Sequence, residues 1–164
     1  MFAMAYDTAF GLAVFLFTPD NSTDADFEGY VAGIELVKNW HHASTSGVNA
    51  ACAILVVEPG SVIPNAHWRK RIAEVSKDVK PPAFFAVVST SAIVRGTVTA
   101  INWLRPPPYE VAIVATFTAA VEWVEGKRGV KLALLHDLLK EARERAARGE
   151  QFVPRPTGRG RADA

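Results

Sequence analysis

Residue types that bind anions or exchange protons gather just after the apolar stretch Ala51–Val57. Backbone N–H groups at the start of a helix attract anions, so basic side chains placed there could hold a phosphate or a carboxylate. The alternative is a solvated basic helix face that pairs with Glu74. The candidate residues of this first group are Glu58, Ser61, His67, Arg69 and Lys70.

A second group of polar residues follows the next apolar stretch, Ala83–Val88. Hydroxyls at a helix start, with an arginine one turn further on, could grip an anion, although simple helix capping explains the hydroxyls equally well. The carboxyl ends of parallel strands share one edge of a sheet, so we expect both groups to form a common rim for an anion or a partner. The second group comprises Ser89, Thr90, Ser91 and Arg95.

Other kinds of reactive site find little support in the sequence. His41 and His42 are adjacent and would point to different faces, which is a poor arrangement for a metal. Cys52 is the only cysteine and lies in an apolar strand, which predicts a buried, inert thiol. No P-loop, Gly-x-Gly-x-x-Gly or Gly-x-Ser-x-Gly motif is present. We therefore predict no catalytic residue, no cofactor and no metal, and a protein that is not an enzyme.

Composition predicts one globular domain. The chain has 164 residues, of which 49% are hydrophobic and 21% charged, enough to bury a sizeable core. The formal net charge of +1 gives no general reason to expect nucleic-acid binding. The apolar stretch Met1–Phe17 is interrupted by Asp7 and is too short to span a bilayer, so we expect a soluble, cytoplasmic protein without a transmembrane segment.

Five apolar runs predict an α/β fold with a mixed five-stranded sheet. A short turn between the first two runs makes that pair antiparallel, whereas helical connections make the other pairs parallel. The predicted strands are residues 2–6, 12–18, 51–57, 83–88 and 111–116.

Apolar residues at helical spacing predict the helices that join and cover these strands. The third helix carries Val94, Val98, Ile101 and Leu104 on one face, and Gly96 inside it predicts a close approach to the sheet. The four tryptophans fall on predicted helices and are interpreted as packing residues. The helices are predicted from about 24 to 42, from about 65 to before Pro81, from a cap at Ser89, Thr90 or Ser91 to before Pro106, after a cap at Thr118, and from about 130 to 147.

The resulting order is strand, strand, helix, strand, helix, strand, helix, strand, helix. This order resembles the STAS domain, the fold of bacterial anti-sigma-factor antagonists, and the related lipid-binding Sec14-like fold. The resemblance covers roughly residues 1–125 and rests on the order and length of the elements. In the antagonist family a phosphorylatable serine follows the third strand, and its counterpart by position is Ser61. Here Pro59 and Pro64 bracket that loop, and Glu58 does not precede a hydroxyl.

A leucine-rich helix follows the STAS-like body, which is complete at about Glu125. We predict a C-terminal extension over residues 126–150 and a disordered tail over 151–164. The extension must cover the sheet or pack against another chain, so homodimerisation or partner binding is expected, with simple self-packing as the alternative. The candidate assembly face is Leu134, Leu135, Leu138 and Leu139.

These patterns together predict a non-enzymatic regulatory or protein-interaction module of STAS-like type that self-associates. The expected partner is another protein or a second copy of the chain. The alternative function is a carrier of Sec14-like type, which would hold a small anionic ligand or a lipid in an apolar pocket under the third helix.

Overall fold

A mixed five-stranded sheet forms the centre of the protein, which confirms the expected α/β class. The computed structural model describes residues 1–19, 22–38, 40 and 50–152. The strands lie side by side in chain order; the first pair is antiparallel and the other three pairs are parallel. They are β1 (Phe2–Asp7), β2 (Leu12–Phe17), β3 (Ala51–Val57), β4 (Ala83–Val88) and β5 (Glu110–Val114).

Five helices connect or follow the strands in the described ranges, and none of them is long and apolar enough to cross a membrane. The fourth helix begins earlier than predicted, because the side chain of Thr116, not Thr118, accepts a hydrogen bond from the N–H of Ala119 at 3.2 Å. The helices are α1 (Asp24–Lys38), α2 (Ala66–Ser76), α3 (Ala92–Leu104), α4 (Phe117–Arg128) and α5 (Leu134–Ala147). His41 and His42 lie outside the described residues.

Helices α1, α2 and α3 cover the first face of the sheet, where aromatic side chains dominate the core. The ring of Tyr30 on α1 lies 5.4 Å from that of Phe15 and 5.5 Å from that of Phe17, both edge-on. A Cβ atom at Gly33 would lie 2.8 Å from Cε1 of Phe15, so α1 approaches the sheet closely at this glycine. Gly96 faces open space instead, and the predicted close approach at that position is wrong.

Helices α4 and α5 cover the second face of the sheet. Helix α5 packs on β1 and β2, while α4 packs on β3, β4 and β5. Leu135, Leu138 and Leu139 are buried and Leu134 is half-buried, so the leucine stripe covers its own sheet. The structure therefore shows the self-packing alternative for these leucines, and they are not available as an assembly face while α5 is in place.

The predicted division of the chain at residue 125 does not coincide with a gap in the packing, because α4 and α5 share one hydrophobic cluster. Phe152, assigned to the tail, packs edge-on against the rings of Phe2 and Tyr6 at 6.3 Å each. The rest of the predicted tail, residues 153–164, lies outside the described residues.

Candidate functional site

The loop after β3 is held by internal hydrogen bonds. The hydroxyl of Ser61 lies 3.0 Å from the carbonyl oxygen of Phe17 and 2.7 Å from that of Glu58, so it acts as a donor that ties the loop to β2. The Glu58 carboxylate faces Nη2 of Arg143 on α5 at 3.6 Å. The Ser61 hydroxyl is therefore engaged in holding the loop and is not free, and the Glu58 carboxylate is paired with α5.

The basic residues at the start of α2 do not converge on its N-terminus. That position is capped by Asn65, whose side-chain oxygen accepts a hydrogen bond from the N–H of Trp68 at 3.0 Å. Arg69 donates to the carbonyl oxygen of Pro64 at 2.8 Å, and the ring of His67 packs edge-on against that of Trp68. Lys70 is exposed. An anion site at this helix start is therefore not assembled in the structure.

The polar residues after β4 act as caps, which was the alternative interpretation of their hydroxyls. The side chain of Ser89 accepts from the N–H of Ser91 at 3.2 Å, and that of Ser91 accepts from the N–H of Val94 at 3.3 Å. Arg95 donates to the carbonyl oxygen of Thr90 at 3.1 Å. The two polar groups follow neighbouring parallel strands, as expected, but no hydrogen bond or ion pair joins them in the described part of the chain.

Arg69 and Lys70 instead line a groove between α2 and α3, which we call the α2–α3 groove. Its volume is about 710 Å³. Alanines on both helices leave room for it, and larger side chains from the end of α3 border it. The lining residues are Ala66, Arg69, Lys70, Ala73 and Glu74 from α2, Ala100, Trp103 and Leu104 from α3, and Arg105.

The α2–α3 groove combines exposed apolar surface with an excess of positive charge. Trp103 is 82% exposed and Leu104 is 58% exposed, although the sequence predicted that both would pack internally. The Glu74 carboxylate lies 3.8 Å from Arg105, and no carboxylate of the described residues pairs with Arg69 or Lys70. Large exposed apolar side chains beside unpaired cations are typical of a protein-binding surface.

Two apolar cavities lie beneath α3, on the side that faces the sheet. One extends toward Tyr109 and the other toward Pro64; we call them the Tyr109 cavity and the Pro64 cavity. Each has a volume of about 60 Å³. Three side chains line both cavities and form the wall between them: Tyr30, Ile72 and Ile101.

The Tyr109 cavity contains the polar groups of this region. The side chains of Tyr30, Ser76, Asn102 and Tyr109 line it together with apolar residues. Burial raises the pKa of the Tyr30 phenol, and the nearby Tyr109 phenol raises it further. Burial also raises the pKa of Tyr109, and a hydrogen bond with Ser76 opposes part of that rise. Both phenols are therefore neutral at physiological pH.

Helix α3 covers these cavities loosely. Val94 is its only buried residue, and Val98 and Ile101 are half-buried. Leu104, predicted on the same inward face, lies on the side of α3 that borders the α2–α3 groove. The described residues include no group of three or more histidine, cysteine, aspartate or glutamate side chains that could hold a metal ion.

No protein-family model, curated protein or solved structure matches this chain. Sequence reasoning placed Arg69 and Lys70 in a candidate site but missed Trp103. The available signal was a tryptophan in the last turn of a helix that three consecutive prolines end.

Proposed function

We propose that the protein is a non-enzymatic, STAS-like interaction module that binds a partner protein in the α2–α3 groove. The observation that carries this proposal is the 82% exposure of Trp103 next to cations without a paired carboxylate. Tryptophan and arginine are the residues that contribute most to binding energy in protein interfaces. Burying the Trp103 ring against a partner would remove a large apolar surface from water.

The partner segment that fits this groove is an amphipathic helix with acidic residues beside its apolar face. The groove runs between two helices and is lined by small side chains such as Ala73 and Ala100, so it can receive the apolar ridge of a third helix. Asp and Glu residues on that helix would lie near Arg69, Lys70 and Arg105. Self-association, expected from the sequence, would then use another surface or be absent.

The test is a selection from a library of displayed peptides on the immobilised full chain, with Trp103→Ala used for counter-selection. We expect peptides enriched only on the unmodified chain to carry apolar residues at i, i+3, i+4 and i+7 and to be acidic. Their affinity should fall about tenfold or more for Trp103→Ala. Phe10→Ala is the matched control, because Phe10 is 52% exposed and lies outside the groove.

Two outcomes would overturn this function. Enrichment that does not depend on Trp103, or that favours basic peptides, would contradict the assignment of the groove. A full chain that is dimeric in native mass spectrometry and becomes monomeric on Trp103→Ala would make a second copy the occupant of the groove, in place of an acidic partner. Substitutions of exposed residues usually change stability by less than about 0.5 kcal/mol, so we expect Trp103→Ala to fold like the unmodified chain.

A further inference from the structure

We propose that α3 covers a second binding site, for a neutral, slender apolar molecule with one hydroxyl or carbonyl group, such as an aliphatic alcohol or ketone. This ligand would occupy the Tyr109 cavity and the Pro64 cavity together. The site goes beyond the proposed protein-binding function, because the cavities lie on the inner side of α3 and the α2–α3 groove lies on its outer side.

The two cavities can become one channel through a small movement. Tyr30, Ile72 and Ile101 separate them, and Ile101 belongs to α3. Val94, the only buried residue of α3, lies in its first half, so an outward shift of the second half breaks only the contacts of half-buried side chains such as Val98 and Ile101. Each cavity of about 60 Å³ is smaller than the space of about 150 Å³ that accepts benzene in an engineered protein core. A ligand that fills both must therefore displace the Ile101 side chain.

The lining of the cavities determines the charge of the ligand. Neither cavity is lined by a lysine, arginine, histidine, aspartate or glutamate. A charged group would lose its hydration there without gaining an ionic partner, which is strongly unfavourable. A hydroxyl or carbonyl group can instead form hydrogen bonds with neutral side chains. The structure therefore favours an uncharged molecule over a fatty acid or a phosphate.

The distribution of polar groups orients the ligand. Hydroxyls of Ser76 and Tyr109 and the amide of Asn102 line the Tyr109 cavity. In the Pro64 cavity, Thr97 is the only polar residue apart from the shared Tyr30. The polar end of the ligand would lie at Tyr109, and its hydrocarbon chain would extend past Ile101 into the Pro64 cavity. Such a site, apolar with a few converging polar groups, is typical of small-molecule recognition.

The test measures binding of 1-octanol and of octanoate to the full chain by isothermal titration calorimetry at pH 7.5. We expect 1-octanol to bind and octanoate to bind at least tenfold more weakly. Ile101→Trp should abolish binding of 1-octanol, because the larger side chain fills the junction of the cavities. Ile93→Trp is the matched control: Ile93 lies on the same helix, is 70% exposed and lines neither cavity.

Tyr109→Phe keeps the shape of the residue and tests the polar end independently of any folding defect in Ile101→Trp. The lost hydrogen bond should weaken 1-octanol binding about threefold to tenfold. No binding of 1-octanol, equal binding of octanoate, or unchanged affinities in both Ile101→Trp and Tyr109→Phe would overturn the proposal. Trp103→Ala should bind 1-octanol like the unmodified chain, so failure of this site and failure of the α2–α3 groove can be distinguished.

Discussion

Two glycines inside helices have opposite surroundings. At Gly33 an added Cβ atom would lie 2.8 Å from Cε1 of Phe15 and 2.9 Å from Sδ of Met4. At Gly96 the added atom would have no neighbour within 4 Å among the described residues, apart from the backbone of its own helix and the adjacent residues. We therefore expect Gly33→Ala to lower the free energy of unfolding by about 1–3 kcal/mol through overpacking. Gly96→Ala should raise it by about 0.5–1 kcal/mol, because alanine is the better helix former. Urea unfolding of both variants measures the difference.

Each variant serves as the control of the other, since both replace a helical glycine by alanine. A stabilised Gly33→Ala would show that α1 can move away from the sheet at little cost. A destabilised Gly96→Ala would mean that α3 does approach another part of the chain at this position.

The same pair of glycines shows what a sequence can predict about a single residue. A glycine in a helix indicates either a close approach or a tolerated cost in helix stability, and the close approach was predicted at Gly96. Which of the two applies at Gly33 depends on Phe15 of β2 and Met4 of β1. These side chains meet α1 only in the tertiary fold. Helical periodicity contains no information about them.

The junction of α4 and α5 is held by Glu125. Its Oε1 atom accepts a hydrogen bond from the N–H of Leu132 at 2.8 Å, and its Oε2 atom accepts one from Nζ of Lys131 at 2.7 Å. The hydrogen bond from Leu132, followed by that from Lys131, lowers the pKa of the Glu125 carboxyl below its ordinary value of 4.5. The charged carboxylate therefore fixes the start of α5.

This lowered pKa makes a pH dependence of stability testable. The folded chain releases the Glu125 proton more readily than the unfolded chain, so the contribution of Glu125 is fully present above pH 4.5 and is lost as the pH falls through the lowered pKa. We expect Glu125→Gln to flatten the decline of stability as the pH falls below 4.5, because glutamine has no carboxylate to protonate there. Urea midpoints on both sides of this pH measure it.

Glu122→Gln is the control for this prediction, because Glu122 is an exposed glutamate on the same helix. We expect the stability of Glu122→Gln to decline with falling pH as steeply as that of the unmodified chain. An identical pH dependence in Glu125→Gln and in the unmodified chain would show that the junction does not depend on the charge of this side chain.

Whole elements were predicted best where an apolar run ends abruptly. The bounds predicted for β3 and β4 agree with the structure, because each run is continuous and is followed at once by polar or turn residues. The start of α4 was misplaced because Thr116 and Thr118 are equally good caps by residue type. Only the backbone shows that Thr116 has the extended conformation of a capping residue.

The candidate site was predicted less well than the fold. The sequence correctly placed two polar groups after β3 and β4, but most of these side chains satisfy local backbone groups. The α2–α3 groove could not be foreseen, because it depends on the angle and spacing of two helices. An apolar pocket under α3 was expected for a carrier, and two cavities are found there. Whether they bind a ligand stays a prediction.

At the scale of the whole molecule, α5 is required to close the core. We predict that a chain shortened to end at Glu125 does not fold cooperatively, since it would expose Leu12, Val14 and Leu16 of β2. Each buried leucine contributes about 1.5–3 kcal/mol, and Leu135, Leu138 and Leu139 together approach the whole net stability of a typical domain, about 5–15 kcal/mol.

Circular dichroism and urea unfolding of the shortened chain and the full chain measure this prediction. A shortened chain with a cooperative transition would show that α5 is an added element, as the sequence predicts. A full-length Leu135→Ala variant provides the intermediate case and should lose about 2–5 kcal/mol while still folding.

Both helices that cover the second face of the sheet follow all five strands in the chain. During synthesis on a ribosome, the first face can be covered as each of α1, α2 and α3 emerges. The second face, with Val14, Ile54 and Ala86, has no covering helix until residues 117–147 have been made. At about 5–20 residues per second this leaves an apolar sheet surface open for seconds. Newly made chains of this protein are therefore most exposed to aggregation, and most in need of chaperones, late in their own translation.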